Sequence, residues 1–268
     1  MKFRSRIFRL EQRESLGQLL AFGITPLMLT FATSSLAGPP YATDDPEPVE
    51  YRHWEFYLAS QHFRDLGGWS GTAPHFEVNY GVAPDVQLHL IAPLAYAAPI
   101  GESAHYGFGD VELGVKFRFV HEGKWVPQIG TFPFLEVPMG SQVRGLGNGS
   151  AQVFAPLWFQ KSSGEWTTYG GGGPWFDAGG HHDHWWFFGW QAQRHVSRAL
   201  TVGAELFHLT PRGAVSRSDT RYNLGGVIDL NDTHHLLLSF GRSIVGSVRF
   251  QGYIAWQVTM GPSEDEAR

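Results

Sequence analysis

The strongest constraint on this chain is a repeating pattern of side chains that runs from residue 53 to residue 260. Apolar residues occupy every second position in about twelve stretches of roughly ten residues, with polar or small residues between them. Alternation of this kind has the period of a β-strand, whose successive side chains point to opposite faces. It predicts strands at 53–63, 73–81, 85–96, 108–120, 125–138, 150–161, 165–176, 184–195, 199–209, 220–230, 234–243 and 248–260.

The connections between these strands alternate in length. Tight turns follow the second, fourth, sixth, eighth and tenth strands, as at Val82-Ala83-Pro84 and Ser162-Ser163-Gly164. Longer, Gly-rich loops follow the first, third, fifth, seventh and ninth strands, as at 97–107 and 139–149, whereas the eleventh connection, 244–247, is short. Short turns at one end and longer loops at the other are typical of outer-membrane barrels. We therefore predict an all-β, transmembrane, antiparallel up-and-down β-barrel of about 12 strands in the outer membrane of a Gram-negative bacterium.

The composition favours a barrel over a helical membrane protein. Charged residues make up 17% of the chain and aromatic residues 15%, yet the mean hydropathy is only −0.19. A membrane-spanning helix needs about 20 consecutive apolar residues, and no such run follows residue 37. A soluble antiparallel sandwich is the alternative, because its strands also alternate. It explains neither the Trp and Tyr residues near strand ends, which suit interfacial girdles, nor the alternating loop lengths.

Residues 1–37 have the features of a signal peptide. Basic residues concentrate before residue 14, the span 16–37 carries no charge, and the small residues Ser35 and Ala37 predict cleavage after Ala37. A retained signal anchor is the alternative, although Pro26 interrupts the apolar span. Removing the five basic and two acidic residues of this leader changes the net charge from −5 to −8. Such a charge disfavours nucleic acid as a partner.

Residues 38–52, which we call the arm, are rich in Pro and acidic residues and cannot pack a core of their own. Two positions are open for the arm. It is either solvated in the periplasm or folded into the barrel mouth as a partial plug, with its acids against inward-facing Arg or Lys. The barrel is then expected over 53–260, followed by a charged C-terminal tail at 261–268.

The charged residues indicate which strand face meets lipid. In the fourth predicted strand, Leu113 lies on the opposite face from Glu112 and Lys116. A charge that faces lipid costs about 2–4 kcal/mol at the bilayer midplane, so the polar face must line the lumen. The resulting lumen-lining candidates are Glu55, His75, Glu77, His89, Asp110, Glu112, Lys116, Arg118, Glu205, Asp229 and Arg249, with His53 among them.

Two proline residues conflict with this strand assignment. Pro133 and Pro156 fall inside the fifth and sixth predicted strands. Proline lacks the N–H that a central strand needs and is confined to edges and bulges, and a closed barrel has no edge. Either these strands bulge at the prolines, or the strand boundaries are wrong in this quarter of the barrel.

Several short motifs resemble those of a known family. They are Thr43-Asp44-Asp45 after the signal peptide, His53-Trp54-Glu55 at the first strand, Gly109-Asp110-Val111-Glu112-Leu113-Gly114-Val115-Lys116, and Gly145-Leu146-Gly147-Asn148-Gly149 at a predicted loop tip. Over 38–260 the chain resembles the outer-membrane barrels named for the meta pathway of phenol degradation. The resemblance implies a transport protein for aromatic or other hydrophobic compounds, with no catalytic residues to carry over. The chain departs from most barrels at Met260, which replaces the usual closing aromatic residue.

Motifs that could carry other chemistry are few. His181-His182-Asp183-His184 could bind a divalent metal, but adjacent residues in a loop seldom converge on one ion. The run 170–173 is no phosphate cradle, because a strand rather than a helix follows it. A hydrolytic pair would need Ser239 near His75 or His89, and these lie on distant predicted strands. We therefore predict no catalytic residue, no metal and no cofactor.

The predicted inner face suggests a function. Twelve strands lie between eight-stranded barrels, whose interiors are filled by side chains, and open sixteen-stranded porins. We predict a narrow, partly filled conduit for small solutes. A structural or partner-binding barrel without transport is the second reading, and an enzyme acting on membrane lipid is the third. Expected partners are outer-membrane lipid and lipopolysaccharide, the barrel-assembly machinery and a small-molecule solute.

Overall fold

The computed structural model describes residues 39–180, 183–213 and 216–262. The predicted signal peptide and most of the predicted tail therefore lie outside the described residues. Among the described residues, no helix is long and apolar enough to span a membrane. The strand segments are β1 (Trp54–Arg64), β2 (Gly68–Ala83), β3 (Val86–Pro99), β4 (His105–Phe108), β5 (Val111–Val120), β6 (Gln128–Thr131), β7 (Phe134–Val137), β8 (Gln152–Phe154), β9 (Leu157–Ser163), β10 (Trp166–Asp177), β11 (Trp185–Ser197), β12 (Leu200–Leu209), β13 (Asp219–Asp229), β14 (His234–Val245) and β15 (Phe250–Met260), with a 3-10 helix at Gln142–Arg144.

These segments close into a barrel. The first strand, β1, pairs with β2 on one side and with β15 on the other, so the sheet has no free edge there. Three pairs of segments, β4 with β5, β6 with β7 and β8 with β9, each form one interrupted strand. Both β4 and β5 pair with β3, both β6 and β7 pair with β5, and both β8 and β9 pair with β10. The barrel therefore has twelve antiparallel strands, and the predicted fold class is confirmed.

The two prolines interrupt the strands where the sequence raised the conflict. The break between β6 and β7 contains Pro133, and the break between β8 and β9 contains Pro156. Their carbonyl groups still accept hydrogen bonds, from the backbone N–H of Val115 (3.1 Å) and from Thr131 Oγ1 (2.6 Å). Each proline removes one N–H donor from the sheet and leaves its carbonyl group bonded, so each strand resumes after the break. A third break, at 109–110 between β4 and β5, was not predicted.

The prediction of a long loop after the first strand is wrong. The strands β1 and β2 extend until only residues 65–67 separate them, and the segment assigned to the loop pairs as sheet. This segment contains Gly71, which has φ 157° and packs so closely that a Cβ would lie 2.0 Å from the carbonyl oxygen of Gln61. Glycine is required by this close approach and not by a turn. Conversely, the predicted tight turn at 121–124 is a longer connection, 121–127.

The outward and inward faces follow the predicted alternation. On β5, Leu113 and Phe117 are 46% and 43% exposed, whereas Glu112 is 1% exposed. The same alternation on β12 exposes Val202 and Leu206 and buries Glu205. The exposed apolar side chains form the surface that meets lipid. The expectation that the Trp residues belong to interfacial girdles is wrong for Trp158, Trp175 and Trp185, which point inward and are buried.

Because one face of β5 meets lipid, the free-energy cost of a charged side chain on that face should depend on its depth in the bilayer. Leu113→Arg should lower the free energy of unfolding in liposomes by about 2–4 kcal/mol, because residue 113 lies near the middle of its strand. Phe119→Arg, on the same face but one residue from the strand end, should cost about 0–1 kcal/mol, because the side chain reaches the interface. Trp fluorescence during denaturation measures both variants. Equal costs would mean that this face does not meet the bilayer core.

The turn between β2 and β3 is held by an ion pair outside the membrane-spanning strands. Asp85 accepts hydrogen bonds from Arg118 Nε (2.7 Å) and His121 Nε2 (2.9 Å), and Arg118 NH2 lies 2.6 Å from the same carboxylate. Burial acts to raise the pKa of Asp85, but the hydrogen bonds and charge of Arg118 and then of His121 outweigh it, so its pKa is lowered.

Stability should therefore depend on the charge of Asp85. A group with a lowered pKa stabilises the folded state above its unfolded pKa and loses this contribution as the pH falls through the folded pKa. Asp85→Asn should lower the free energy of unfolding by about 1 kcal/mol at neutral pH, and the difference from wild type should vanish in acid. Asp232→Asn, in another exposed turn, is the control. A difference between wild type and Asp85→Asn that persisted in strong acid would contradict this account.

Candidate functional site

The inner wall of the barrel has two chemically different sides. On the side formed by β6 to β12, buried apolar side chains pack against one another: Phe132, Phe134, Phe154, Trp158, Trp175, Trp185, Phe187, Phe207 and Leu209. We call these nine residues the aromatic cluster. The rings of Trp175 and Trp185 stack at 5.5 Å, and those of Phe154 and Trp175 at 4.8 Å. Sequence reasoning missed this cluster, because an inward and an outward Trp look alike in an alternating strand.

The adjoining part of the lumen, on β2, β3 and β5, carries a buried polar network that meets the aromatic cluster where the rings of His89 and Phe132 lie 5.0 Å apart. His89 is its centre: Nδ1 lies 2.6 Å from Asn79 Oδ1 and Nε2 lies 2.8 Å from Glu112 Oε1. The amide of Asn79 donates to Glu77 at 2.9 Å. Three neighbouring strands therefore share one chain of hydrogen bonds, and the predicted lumen residues His89, Glu77 and Glu112 come together in it. Such a network is costly unless it is satisfied.

The arm lies inside the barrel. The backbone N–H groups of Ala42 and Thr43 both donate to the Glu205 carboxylate at 2.8 Å. Nearer to β1, the N–H of Val49 donates to Gln87 Oε1 at 2.9 Å. Thr43 is 0% exposed. Of the two positions that the sequence left open, the structure therefore places the described part of the arm within the lumen.

Charged side chains fix the middle of the arm to the wall. Lys116 Nζ lies 2.9 Å from Asp44 and 3.4 Å from Asp45. Glu47 accepts a hydrogen bond from Gln160 at 2.8 Å and lies 3.7 Å from Arg118. Acids of the arm thus meet inward-facing basic residues, and Asp44 and Lys116 form a buried pair whose loss on one side would leave an uncompensated charge.

Glycine residues in the wall make room for the arm. A Cβ at Gly189 would lie 2.1 Å from Thr43 Oγ1, and one at Gly203 would lie 2.6 Å from the Tyr41 hydroxyl. Side-chain atoms do not approach this closely. The wall therefore has glycine at these two points of contact with the arm. Any larger residue at Gly189 or Gly203 would displace the arm.

A loop also enters the barrel, from the end opposite to the arm. In the connection 138–151, Leu146 and Asn148 are buried. Asp110, at the break between β4 and β5, accepts hydrogen bonds from the N–H groups of Gly140 (2.8 Å) and Asn148 (2.6 Å). The amide of Asn148 donates to Glu136 at 2.6 Å. The motif at 145–149, which we expected at a loop tip, is folded against the inner wall.

The remaining candidates lie nearer to the rims. Glu55 accepts a hydrogen bond from the Tyr57 hydroxyl at 2.7 Å, and Asp229 pairs with His235 at 2.7 Å. His53 lies just before β1, 3.8 Å from Glu50. Arg249 is exposed in the short connection before β15 and does not line the lumen, because β15 begins at Phe250, two residues later than predicted. Glu136 was missed, because the break at Pro133 hid the alternation of its strand.

The weaker chemical motifs can be located in part. His181 and His182 lie outside the described residues, and no group of three or more potential metal ligands occurs among the residues that are described. Ser239 donates to the carbonyl oxygen of Pro40, in the arm. His75 Nδ1 is 2.8 Å from Thr72 Oγ1, and both ring nitrogens of His89 are taken by Asn79 and Glu112. The hydroxyl of Ser239 thus anchors the arm.

Two adjoining cavities remain in the lumen. The first, of about 30 Å³, lies beside the top of the arm and is lined by four rings, Tyr41, Phe63, Phe207 and Tyr253, together with Glu77. The second, of about 20 Å³, is lined by Asp110, Glu112 and Glu136. His75 and Ile91 line both cavities. Each cavity has room for about one or two water molecules, so with the arm in place this part of the lumen is nearly filled.

Solved structures with this fold are bacterial outer-membrane proteins. The COG4313 outer membrane channel from Pseudomonas putida F1 matches with a TM-score of 0.68 at 12% identity, over 84% of this chain and 100% of that chain. A KdgM porin matches with a TM-score of 0.52 at 12% identity, over 77% of this chain and 99% of that one. No protein-family model matches the sequence, and no curated protein is significantly similar to it. The chain is thus a twelve-stranded β-barrel of the outer-membrane type, as predicted, with the fold of channels and porins.

Proposed function

We propose that this protein is an outer-membrane channel that admits small solutes carrying an aromatic or other apolar part. The observation that carries the proposal is the composition of the interior. Two segments that are not part of the wall, the arm and the connection 138–151, narrow a twelve-stranded barrel and leave two small cavities in its lumen. Eight-stranded barrels fill their interiors with wall side chains and sixteen-stranded porins stay open, so an interior narrowed by segments outside the wall suits selective passage.

The aromatic cluster supports the class of solute. Wide aqueous pores line their lumen with polar groups, whereas here nine buried apolar residues form one inner side. Small-molecule sites are mostly apolar, with a few placed polar groups that fix orientation. The lumen has this composition, with aromatic rings next to the His89 network. The family resemblance of the sequence motifs points to the same class of solute.

A barrel without transport is the second candidate. It is favoured by the number of hydrogen bonds and ion pairs that hold the arm, among them those of Glu205 and Lys116. An arm that never leaves would make the barrel a closed structural element. The two candidates differ in whether ions and solutes cross the barrel, and single-channel conductance measures this difference.

Removing the arm should open the channel. Deletion of residues 39–49 should raise single-channel conductance in planar bilayers several-fold, because the arm occupies space that ions would otherwise use. Glu205→Gln should raise it less, because the amide oxygen can still accept one of the two N–H groups and Lys116 still holds the arm. Glu165→Gln, in an exposed turn, is the matched control. If wild type and deletion were both electrically silent, the structural candidate would be correct and the channel proposal would fail.

The inner acids should give the open channel a preference for cations. Glu77, Glu112, Glu136 and Glu205 are buried in the lumen, where Lys116 and Arg118 pair with acids of the arm. In the arm-deleted protein, the reversal potential in a salt gradient should indicate cation preference at neutral pH. The preference should decline in acid, because carboxylates protonate. An anion preference at neutral pH would show that the acids do not face the conduction path.

A further inference from the structure

Two exposed arginines lie close together on the outer surface of the barrel, near the end that carries the connection 138–151. Arg64 is the last residue of β1, and Arg242 lies three residues before the end of β14. Their side chains point away from the lumen, because the adjacent Phe63 lines the first cavity and the adjacent Ser243 is buried. A charge that faces lipid is costly at the bilayer midplane and is tolerated near the interface. The two arginines therefore lie at the level of the lipid headgroups.

Aromatic side chains alternate with these arginines along one row, to which five neighbouring strands contribute one residue each. In the order β2, β1, β15, β14 and β13, the row is Trp69, Arg64, Phe250, Arg242 and Tyr222. The guanidinium of Arg64 lies 5.5 Å from the centre of the Trp69 ring, and the rings of Trp69 and Phe250 are 5.9 Å apart. Trp and Tyr are typical of the membrane interface. The row is thus part of an aromatic girdle that contains two positive charges.

The protein does not neutralise these charges. Within the described part of the chain, neither guanidinium takes part in an ion pair or donates a hydrogen bond. The acid that follows in the sequence, Asp65, accepts the backbone N–H groups of Gly67 (2.7 Å) and Gly68 (3.1 Å) instead. A third exposed arginine, Arg249, adjoins the row, because its backbone N–H donates to the carbonyl oxygen of Arg64 at 2.7 Å. Like charges on neighbouring strands are unfavourable, so this group of arginines favours an anionic ligand.

Cations on the outer surface at the other end of the barrel have a different arrangement. Lys161, near the turn between β9 and β10, pairs with Glu122 at 2.6 Å. Arg194 on β11 lies 5.7 Å from the centre of the Trp166 ring, and its two opposite residues in the register are Trp166 and Val202. One cation at this end is thus neutralised, and the other stands among uncharged neighbours. An arrangement of several unneutralised arginines is therefore specific to the end with the longer loops.

The longer loops of an outer-membrane barrel face the cell exterior, where the lipid leaflet consists of lipopolysaccharide. Its lipid A part carries phosphate groups, and the planar guanidinium of Arg binds phosphate through two parallel hydrogen bonds. Arg64 and Arg242 are two strands apart, about 10 Å, so both long side chains can reach one phosphate group between them. We propose that these two arginines bind a phosphate group of lipid A, with the rings of Trp69 and Phe250 against the lipid. This site does not depend on the proposed channel function.

Lipid A with two phosphate groups and the same lipid A without phosphate test the proposal, because they differ only in charge. Titration of the full-length barrel in detergent, followed by native mass spectrometry, should give a Kd for the phosphorylated lipid about tenfold or more below that for the other, since hydrogen bonds between charged groups are the strong ones. The double variant Arg64→Gln, Arg242→Gln should lose this preference, and each single variant should lose part of it. Arg194→Gln, which removes an outward arginine beside a Trp ring at the other end, should retain it. Heat-modified gel mobility verifies that each variant is folded.

Three further results would overturn the site. The first is equal affinity of wild type for the two forms of lipid A, or a preference that persists in the folded double variant. The second is an equal loss of preference in Arg194→Gln, which would mean that any arginine at the interface suffices. The third comes from phosphatidylglycerol, titrated in parallel: binding as tight as that of phosphorylated lipid A would show that the arginines take any anionic lipid. An excess of inorganic phosphate should not displace lipid A, and displacement would identify free phosphate as the ligand instead.

Discussion

Closure of the sheet is the constraint on which the rest of this structure depends. In a bilayer every backbone N–H and C=O group must find a partner within the protein, so a spanning sheet cannot leave an edge. The pairing of β1 with β15 meets this requirement. Closure then divides the side chains into two sets with no exchange between them. Outward residues must be apolar, whereas inward residues are free to be chosen for packing, charge or recognition.

Freedom on the inner face explains how the interior is organised. Aromatic residues pack together along β6 to β12, and buried acids on β5 and β7 hydrogen-bond to His89 and to the connection 138–151. The arm lies between them, held by Lys116 and by the Glu205 carboxylate. Glycines such as Gly189 and Gly203 leave the space that it occupies. The arm and the wall therefore fit each other at the level of single atoms.

Much of the barrel could be predicted from the sequence, because strand period and lipid contact act locally. Leu113 and Glu112 were assigned to the correct faces by alternation alone. The arm could not be placed in the same way, because its contacts join residues far apart, as Ala42 does with Glu205. The inward Trp residues were missed, because alternation does not distinguish a ring that meets lipid from one that packs inside. At Pro133 the break itself removed the pattern that would have identified Glu136.

The central claim is that the arm lies inside the lumen, and chemical labelling tests it most directly. The chain contains no cysteine, so a single Cys can be introduced at Thr43 or, for comparison, at the exposed Glu50. A hydrophilic maleimide should label Glu50→Cys rapidly in the folded barrel and Thr43→Cys slowly, with equal labelling after unfolding. Protection at residue 43 is the result that the structure predicts. Equally rapid labelling of both positions in the folded barrel would contradict it.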